Sequence, residues 1–140
     1  LELASLIIQQ VEDVPAALEQ LWRRMAFSVC VSNLDDHLRN HGFLLQPGSR
    51  AGWRLSPAYD LNPLPSGEGL SLNLSETDNA QDLGLLHEVA FHFRLKPARA
   101  AAVLDEVRKA ARTWPREART LGLSRAEQDR VAPAFRLAEP

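Results

Sequence analysis

Apolar residues recur at helical spacing through much of this chain. Leu18, Leu21, Trp22, Met25 and Val29 fall three or four positions apart, the interval that lines one face of an α-helix. Asp13 ahead of Pro15 supplies a capping carboxylate and a first-turn proline, so the pattern predicts a core helix over 15–31. Trp22, Met25 and Cys30 read as packing residues. Leu3, Leu6 and Ile7 suit the end of a preceding helix.

The pattern then breaks. GFLLQ (42–46) and WRLS (53–56) flank the turn-rich PGSRAG, which signals a hairpin. Pro57, Pro63 and Pro65 with Gly67 and Gly69 exclude a helix from the next stretch, and SLNLS (71–75) suits a short strand. Asp78 with Gln81 resembles a capping box for a helix carrying Leu83, Leu86, Val89, Ala90 and Phe93. Pro97 opens another helix, with Ala100, Val103, Leu104, Val107, Ala111 and Trp114 as its stripe. Ser124 and Glu127 form a second box before a short helix that Pro133 ends or kinks. The expected fold is mainly α with one small β-hairpin region, chiefly helical over 1–31 and 80–132.

Composition narrows the setting. At 140 residues and 45% hydrophobic, the chain has material for one domain (1–140) with a core that needs no staples. A lone Cys30 excludes an internal disulfide framework and fits a reducing compartment. The sequence has neither a membrane-length apolar run nor a signal-peptide pattern. It starts without Met, in the middle of a helical pattern. The expectation is a cytoplasmic domain that begins inside a longer protein. Charge is unevenly spread: residues 95–140 hold 10 Lys+Arg against 6 Asp+Glu, whereas residues 1–94 hold 6 against 12. An acidic front half could hold metal and a basic tail could meet an acidic partner or nucleic acid. Solvation of one helix face by Arg108, Lys109, Arg112, Arg116 and Arg119 is the simpler account of the tail.

The informative segment is Asn33-Leu34-Asp35-Asp36-His37-Leu38-Arg39-Asn40-His41-Gly42. Seven of its ten residues are polar or ionisable, yet apolar structure flanks it on both sides. Such a cluster is costly near a core unless it binds something or hydrogen-bonds to itself. Asp60 follows the hairpin inside Leu55-Ser56-Pro57-Ala58-Tyr59-Asp60-Leu61, and a hairpin returns the chain to where it left. Asp60 is therefore expected near Asp35 and Asn40. An aspartate, an asparagine five residues later and a second aspartate after a hairpin is the arrangement used in phosphoryl transfer. There a carboxylate meets the acceptor hydroxyl, and oxygen ligands hold magnesium against the phosphates.

The pair of motifs, NLDDHLRNHGF and LSPAYDL, together with the helical tail, resembles the C-terminal region of HipA-like serine/threonine kinases, toxins of bacterial toxin–antitoxin modules. That resemblance implies the C-terminal helical lobe of a kinase-like fold. It implies magnesium-dependent transfer of the ATP γ-phosphoryl group to a protein serine or threonine. By it Asp35 is the catalytic aspartate, His37 braces the loop by hydrogen bonding, Arg39 lies beside the phosphates, and Asn40 and Asp60 hold Mg²⁺. Asp36 occupies a variable position and receives no role. The implied substrate is an aminoacyl-tRNA synthetase and the implied partner a DNA-binding antitoxin, with nucleic acid met only through the antitoxin and no membrane involved.

The chain departs from the pattern in two places. Leu61-Asn62 stands where ordinary protein kinases carry Phe-Gly. More consequentially, the 34 residues before Asp35 contain no lysine and no glycine-rich phosphate loop. The nucleotide-binding lobe is thus expected to be missing, and the 140-residue chain alone is expected to be inactive. The competing reading is a non-catalytic module that binds an antitoxin or a separate kinase lobe. An upstream reading frame encoding a glycine-rich loop and a lysine-bearing strand would decide between them. A zinc site at His37 and His41 is the weaker reading, because Leu38 stands where the metalloprotease motif needs Glu. His87 and His92 read as structural or surface histidines, and Cys30 as buried and inert.

Overall fold

The computed structural model describes residues 1–47 and 52–139. Its helices are α1 (Glu2–Gln10), α2 (Val14–Cys30), α3 (Leu83–Val89), α4 (Pro97–Ala111), α5 (Trp114–Thr120) and α6 (Arg125–Val131). Strands β1 (Phe43–Gln46) and β2 (Gly52–Leu55) pair antiparallel, with Phe43 opposite Leu55 and Gln46 opposite Gly52. Residues 48–51, where the expected turn falls, lie outside the described residues.

Helix α2 is the axis of the molecule. Asp13 caps it through a 3.2 Å bond from the Ala16 amide, and Pro15 sits in its first turn. Leu18, Leu21, Trp22 and Val29 are buried on it as the periodicity predicts, and they pack with Ile7, Leu86, Phe93 and Val103 in one core. The Trp22 indole N–H donates to the Leu86 carbonyl at 3.2 Å, which satisfies its one polar atom inside that core. Cys30 is fully buried, and burial pushes its thiol pKa up to about 11. A salt-bridge cluster joins α2 to α4 at the surface, Arg99 and Arg23 each reaching Glu19 and Glu106. The hairpin attaches to the α1–α2 junction, where the Glu12 amide donates to the Trp53 carbonyl at 3.1 Å.

Three local expectations are corrected. Residues 71–75 form turns rather than a strand. The Ser75 hydroxyl accepts from the Thr77 and Asp78 amides, and the Asp78 carboxylate accepts from the Ala80 amide at 2.7 Å. Such local bonds offer the backbone an alternative to a sheet ladder. Asp78 and Gln81 do not cap α3; Asp82 does, accepting from the Gly84 and Leu85 amides. Trp114 leaves the α4 stripe, because α4 ends at Ala111. Its ring stacks on Phe135 with centroids 4.7 Å apart. The capping box at Ser124 and Glu127 forms as read, and α6 gives way to a 3₁₀ turn at Ala132–Phe135 around Pro133. Arg108 and Arg112 donate to backbone carbonyls of the chain's end, at Glu139 and Ala138. Part of the basic face is therefore structural.

Candidate active site

Helix α2 stops at Cys30, and Ser32 turns the chain with φ +52°. The loop that follows is polar, yet it is held close to the core. Asn33, 1% exposed, acts as a bracket. Its side-chain amide donates to the Ser28 hydroxyl at 3.2 Å, and its Oδ1 accepts from the Asn62 amide at 3.3 Å. Asp36 is also buried. Its carboxylate accepts from the Ser28 hydroxyl at 3.1 Å and from His41 Nε2 at 2.8 Å. Arg24, one turn earlier on α2 and 9% exposed, donates to the Ser56 carbonyl. Burial pulls its pKa below the ordinary guanidinium value, opposed first by Asp36 and then by Tyr59.

The segment after the hairpin returns along this loop at several points. The Ser56 amide donates to the Gly42 carbonyl at 2.8 Å, and the Leu64 amide to the Ser32 carbonyl at 2.9 Å. Between them the Tyr59 hydroxyl donates to the Arg39 carbonyl at 2.7 Å. A side chain at Gly42 would meet Ser56 Oγ at 3.1 Å and the Tyr59 hydroxyl at 3.3 Å, so glycine permits the close approach. Asp60 is thereby fastened on both sides, by Tyr59 before it and by Asn62 after it. It adopts φ +56°, a left-handed conformation that aspartate tolerates better than most residues, and its Oδ1 accepts from Asn62 Nδ2 at 2.7 Å.

The structure thus brings the Asp60 segment to the Asp35–Asn40 loop. Asp35 and Asp60 are exposed, whereas Asn40 is 6% exposed and donates from Nδ2 to the Asp35 carbonyl at 3.3 Å. The Asp35 carboxylate and Asn40 Oδ1 have no hydrogen-bond partner among the described residues. Arg39 is exposed. The His37 ring Nδ1 is buried with no partner among the described residues, and the His37 backbone carbonyl accepts from the Asn40 amide at 2.8 Å. The side-chain brace is Asp36 with His41. Its signal was present in the sequence, since two ionisable residues five apart in a loop between apolar elements must find partners if buried. His41 Nδ1, like His37 Nδ1, has no partner among the described residues.

No group of three or more His, Cys, Asp or Glu suited to a metal occurs among the described residues. Asn40 Oδ1 and the Asp60 carboxylate are nonetheless hard oxygen donors. They suit Mg²⁺, which takes one or two carboxylates and completes its shell with water and phosphate oxygens. A cavity of about 600 Å³ lies beside the loop, lined by Ser28, Asp36, Leu38 and His41 with the start of α1 and residues 70–76. A second, of about 770 Å³, lies between α2, the hairpin and α4. Asp35, Asn40 and Asp60 line neither of them.

A family model described as the HipA-like C-terminal domain matches residues 1–114. The chain belongs to this family. The match takes in both motifs of the HipA-like domain, the hairpin between them and helices α1 to α4, and it ends at the start of α5. Neither a curated protein nor a solved structure matches the chain. No helix among the described residues is long and apolar enough to cross a membrane.

Proposed function

We propose that this HipA-like domain is the acceptor-side and metal-side lobe of an ATP-dependent serine/threonine protein kinase of the toxin type. The observation that supports the reading is the return of the Ser56–Leu64 segment along the Asn33–Gly42 loop, where Ser56, Tyr59, Asn62 and Leu64 bond to Gly42, Arg39, Asn33 and Ser32 on either side of Asp60. Asp35, exposed and without a side-chain partner, accepts the proton of the substrate hydroxyl. Asn40 and Asp60 hold Mg²⁺, and Arg39 meets the phosphates. When bound, the ion would neutralise charge on the transferring phosphoryl group. The buried Asn33, Ser28, Asp36 and His41 network orders the loop before substrate arrives, as positioning demands in a reaction with little covalent work for the protein. Family membership supports a DNA-binding antitoxin as partner and an aminoacyl-tRNA synthetase as the phosphorylated protein.

The 34 residues before Asp35 hold no lysine to meet the nucleotide phosphates. The 140-residue chain alone is therefore expected to transfer no phosphate and to bind Mg-ATP no better than about millimolar, roughly 4 kcal/mol. Titration calorimetry tests the affinity. With the other half supplied, Asp35→Asn abolishes transfer while leaving nucleotide affinity largely intact, whereas Asp60→Asn also weakens magnesium-dependent ATP binding. Equal losses of affinity in both variants would contradict this division of roles. Micromolar Mg-ATP binding by the isolated chain would overturn the two-lobe assignment.

A further inference from the structure

The end of the chain, beyond the family match at residue 114, reaches back to the root of the catalytic loop. Ser32 is 1% exposed and its hydroxyl is saturated. It donates to the Ala134 carbonyl at 2.8 Å and accepts from Gln81 Nε2 at 2.7 Å and Arg136 Nη1 at 3.1 Å. Arg136 also donates to Gln81 Oε1, and Gln81 donates to the Val29 carbonyl at 2.8 Å, which occupies an open end of α2. Ala134 and Ala138 are fully buried, and Arg112 anchors the Ala138 carbonyl at 2.7 Å. Two sequence-distant segments therefore hold Ser32 in the left-handed conformation that a serine rarely adopts. The Ser32 carbonyl in turn accepts from the Leu34 amide at 3.0 Å and the Leu64 amide at 2.9 Å. One peptide thus sets where the Asp35 strand of the loop leaves α2 and where the Asp60 segment comes back.

We propose that residues 132–138 are a strap that fixes the spacing between the two halves of the site, with Arg136 and Ser32 as positioning residues. The mechanical part stands on these bonds alone, and the catalytic part rests on the kinase reading above. Amide hydrogen exchange on the 140-residue chain tests the first. Arg136→Ala should speed exchange at Leu34 and Leu64 at least tenfold, while Val103 and Val107 in α4 stay within twofold. Arg136→Lys, which keeps the charge but loses the rigid guanidinium fork that spans Ser32 Oγ and Gln81 Oε1, should fall between. Ser32→Gly should loosen the same two amides even though glycine accepts the backbone angle, because the hydroxyl junction is gone. Unchanged exchange at Leu34 and Leu64, or equal acceleration throughout the chain, would overturn the strap. With the nucleotide-binding half supplied, Arg136→Ala should lower kcat tenfold or more with the KM for ATP within twofold, since small misplacements cost rate before affinity. Loosened amides with kcat unchanged would overturn the positioning role. Loosened amides with no transfer even by the unaltered protein would leave the strap standing and reject the kinase reading.

Discussion

Helix α2 carries two regions held by opposite physics. Along most of its length Leu18, Leu21, Trp22 and Val29 meet α1, α3 and α4 in an apolar interior where exclusion of water supplies the stability. At its C-terminal end Ser28, Asn33 and Asp36 are equally buried, yet each is held by directional bonds to named partners. The first region depends chiefly on filled volume, whereas the second depends on the geometry of individual bonds. What differs is what each can be used for. Apolar packing fixes where the helix goes, and the polar network fixes where individual carboxylates point.

Removing the largest core side chain should separate the two most sharply. Trp22→Ala empties a fully buried site and frees the Leu86 carbonyl. It should cost about 4 kcal/mol, in the range for large aromatic-to-alanine changes, and chemical denaturation measures it. A loss below about 1 kcal/mol would mean that the α2–α4 interior is not the centre of stability. Asp36→Ala comes next, at about 2–3 kcal/mol, because it strands the Ser28 hydroxyl and the His41 ring in a buried setting. Its loss should show at the loop, as faster amide exchange at Asn33–Asn40, before it shows in α4. Uniform acceleration would erase the distinction between the regions.

The legibility of the sequence divides along the same line. Periodicity located α2 and α4 because burial imposes a repeat that apolar residues display directly, whereas the short α6, which buries no residue, was marked only by its Ser124–Glu127 capping box. The expected hairpin pairs as strands 43–46 and 52–55. The polar network was harder to read because hydrogen bonds leave no period. Gln81 was read as half of a capping box, but its side chain crosses to Val29 and Ser32. Asp36 has no role in the sequence reading because it occupies a variable position of the motif, and burial is what distinguishes it from the exposed Asp35. The strand expected at 71–75 failed for a related reason. Ser75 and, three residues on, Asp78 spend their side-chain oxygens on nearby amides. Tyr59, which fastens the Asp60 segment through its hydroxyl, carried no signal beyond its place in the motif.

A smaller effect comes from the surface that joins α2 to α4. Hydrogen bonding from Arg99 holds the Glu19 carboxyl below its ordinary pKa, with Arg23 adding to it and partial desolvation opposing both. A carboxylate whose pKa is lowered by folding stabilises the fold above its unfolded value, and that contribution disappears as pH falls through the lowered one. Acidification from neutrality to below the glutamate range should therefore reduce stability, and Glu19→Gln should flatten that part of the profile. High salt should do the same because the cluster is partly exposed.

The smallest expected change in stability is at the residue given the largest role in chemistry. Asp35 is exposed, and its carboxylate has no hydrogen-bond partner among the described residues. Its backbone carbonyl is what Asn40 holds, at 3.3 Å, and a substitution of the side chain leaves that bond in place. Surface changes away from caps, cavities and paired charges usually fall within about 0.5 kcal/mol. Asp35→Asn should therefore leave the denaturation midpoint nearly unmoved, while Asp36→Asn, one position later, should lower it. That contrast between adjacent aspartates is the finest test of the division drawn here. A carboxylate kept on the surface without a partner contributes little to folding, and its use must be sought in what it meets from solution. If Asp35→Asn instead destabilised the protein as much as Asp36→Asn, the carboxylate would have a structural partner. Its assignment as the acceptor-side base would then lose its physical ground.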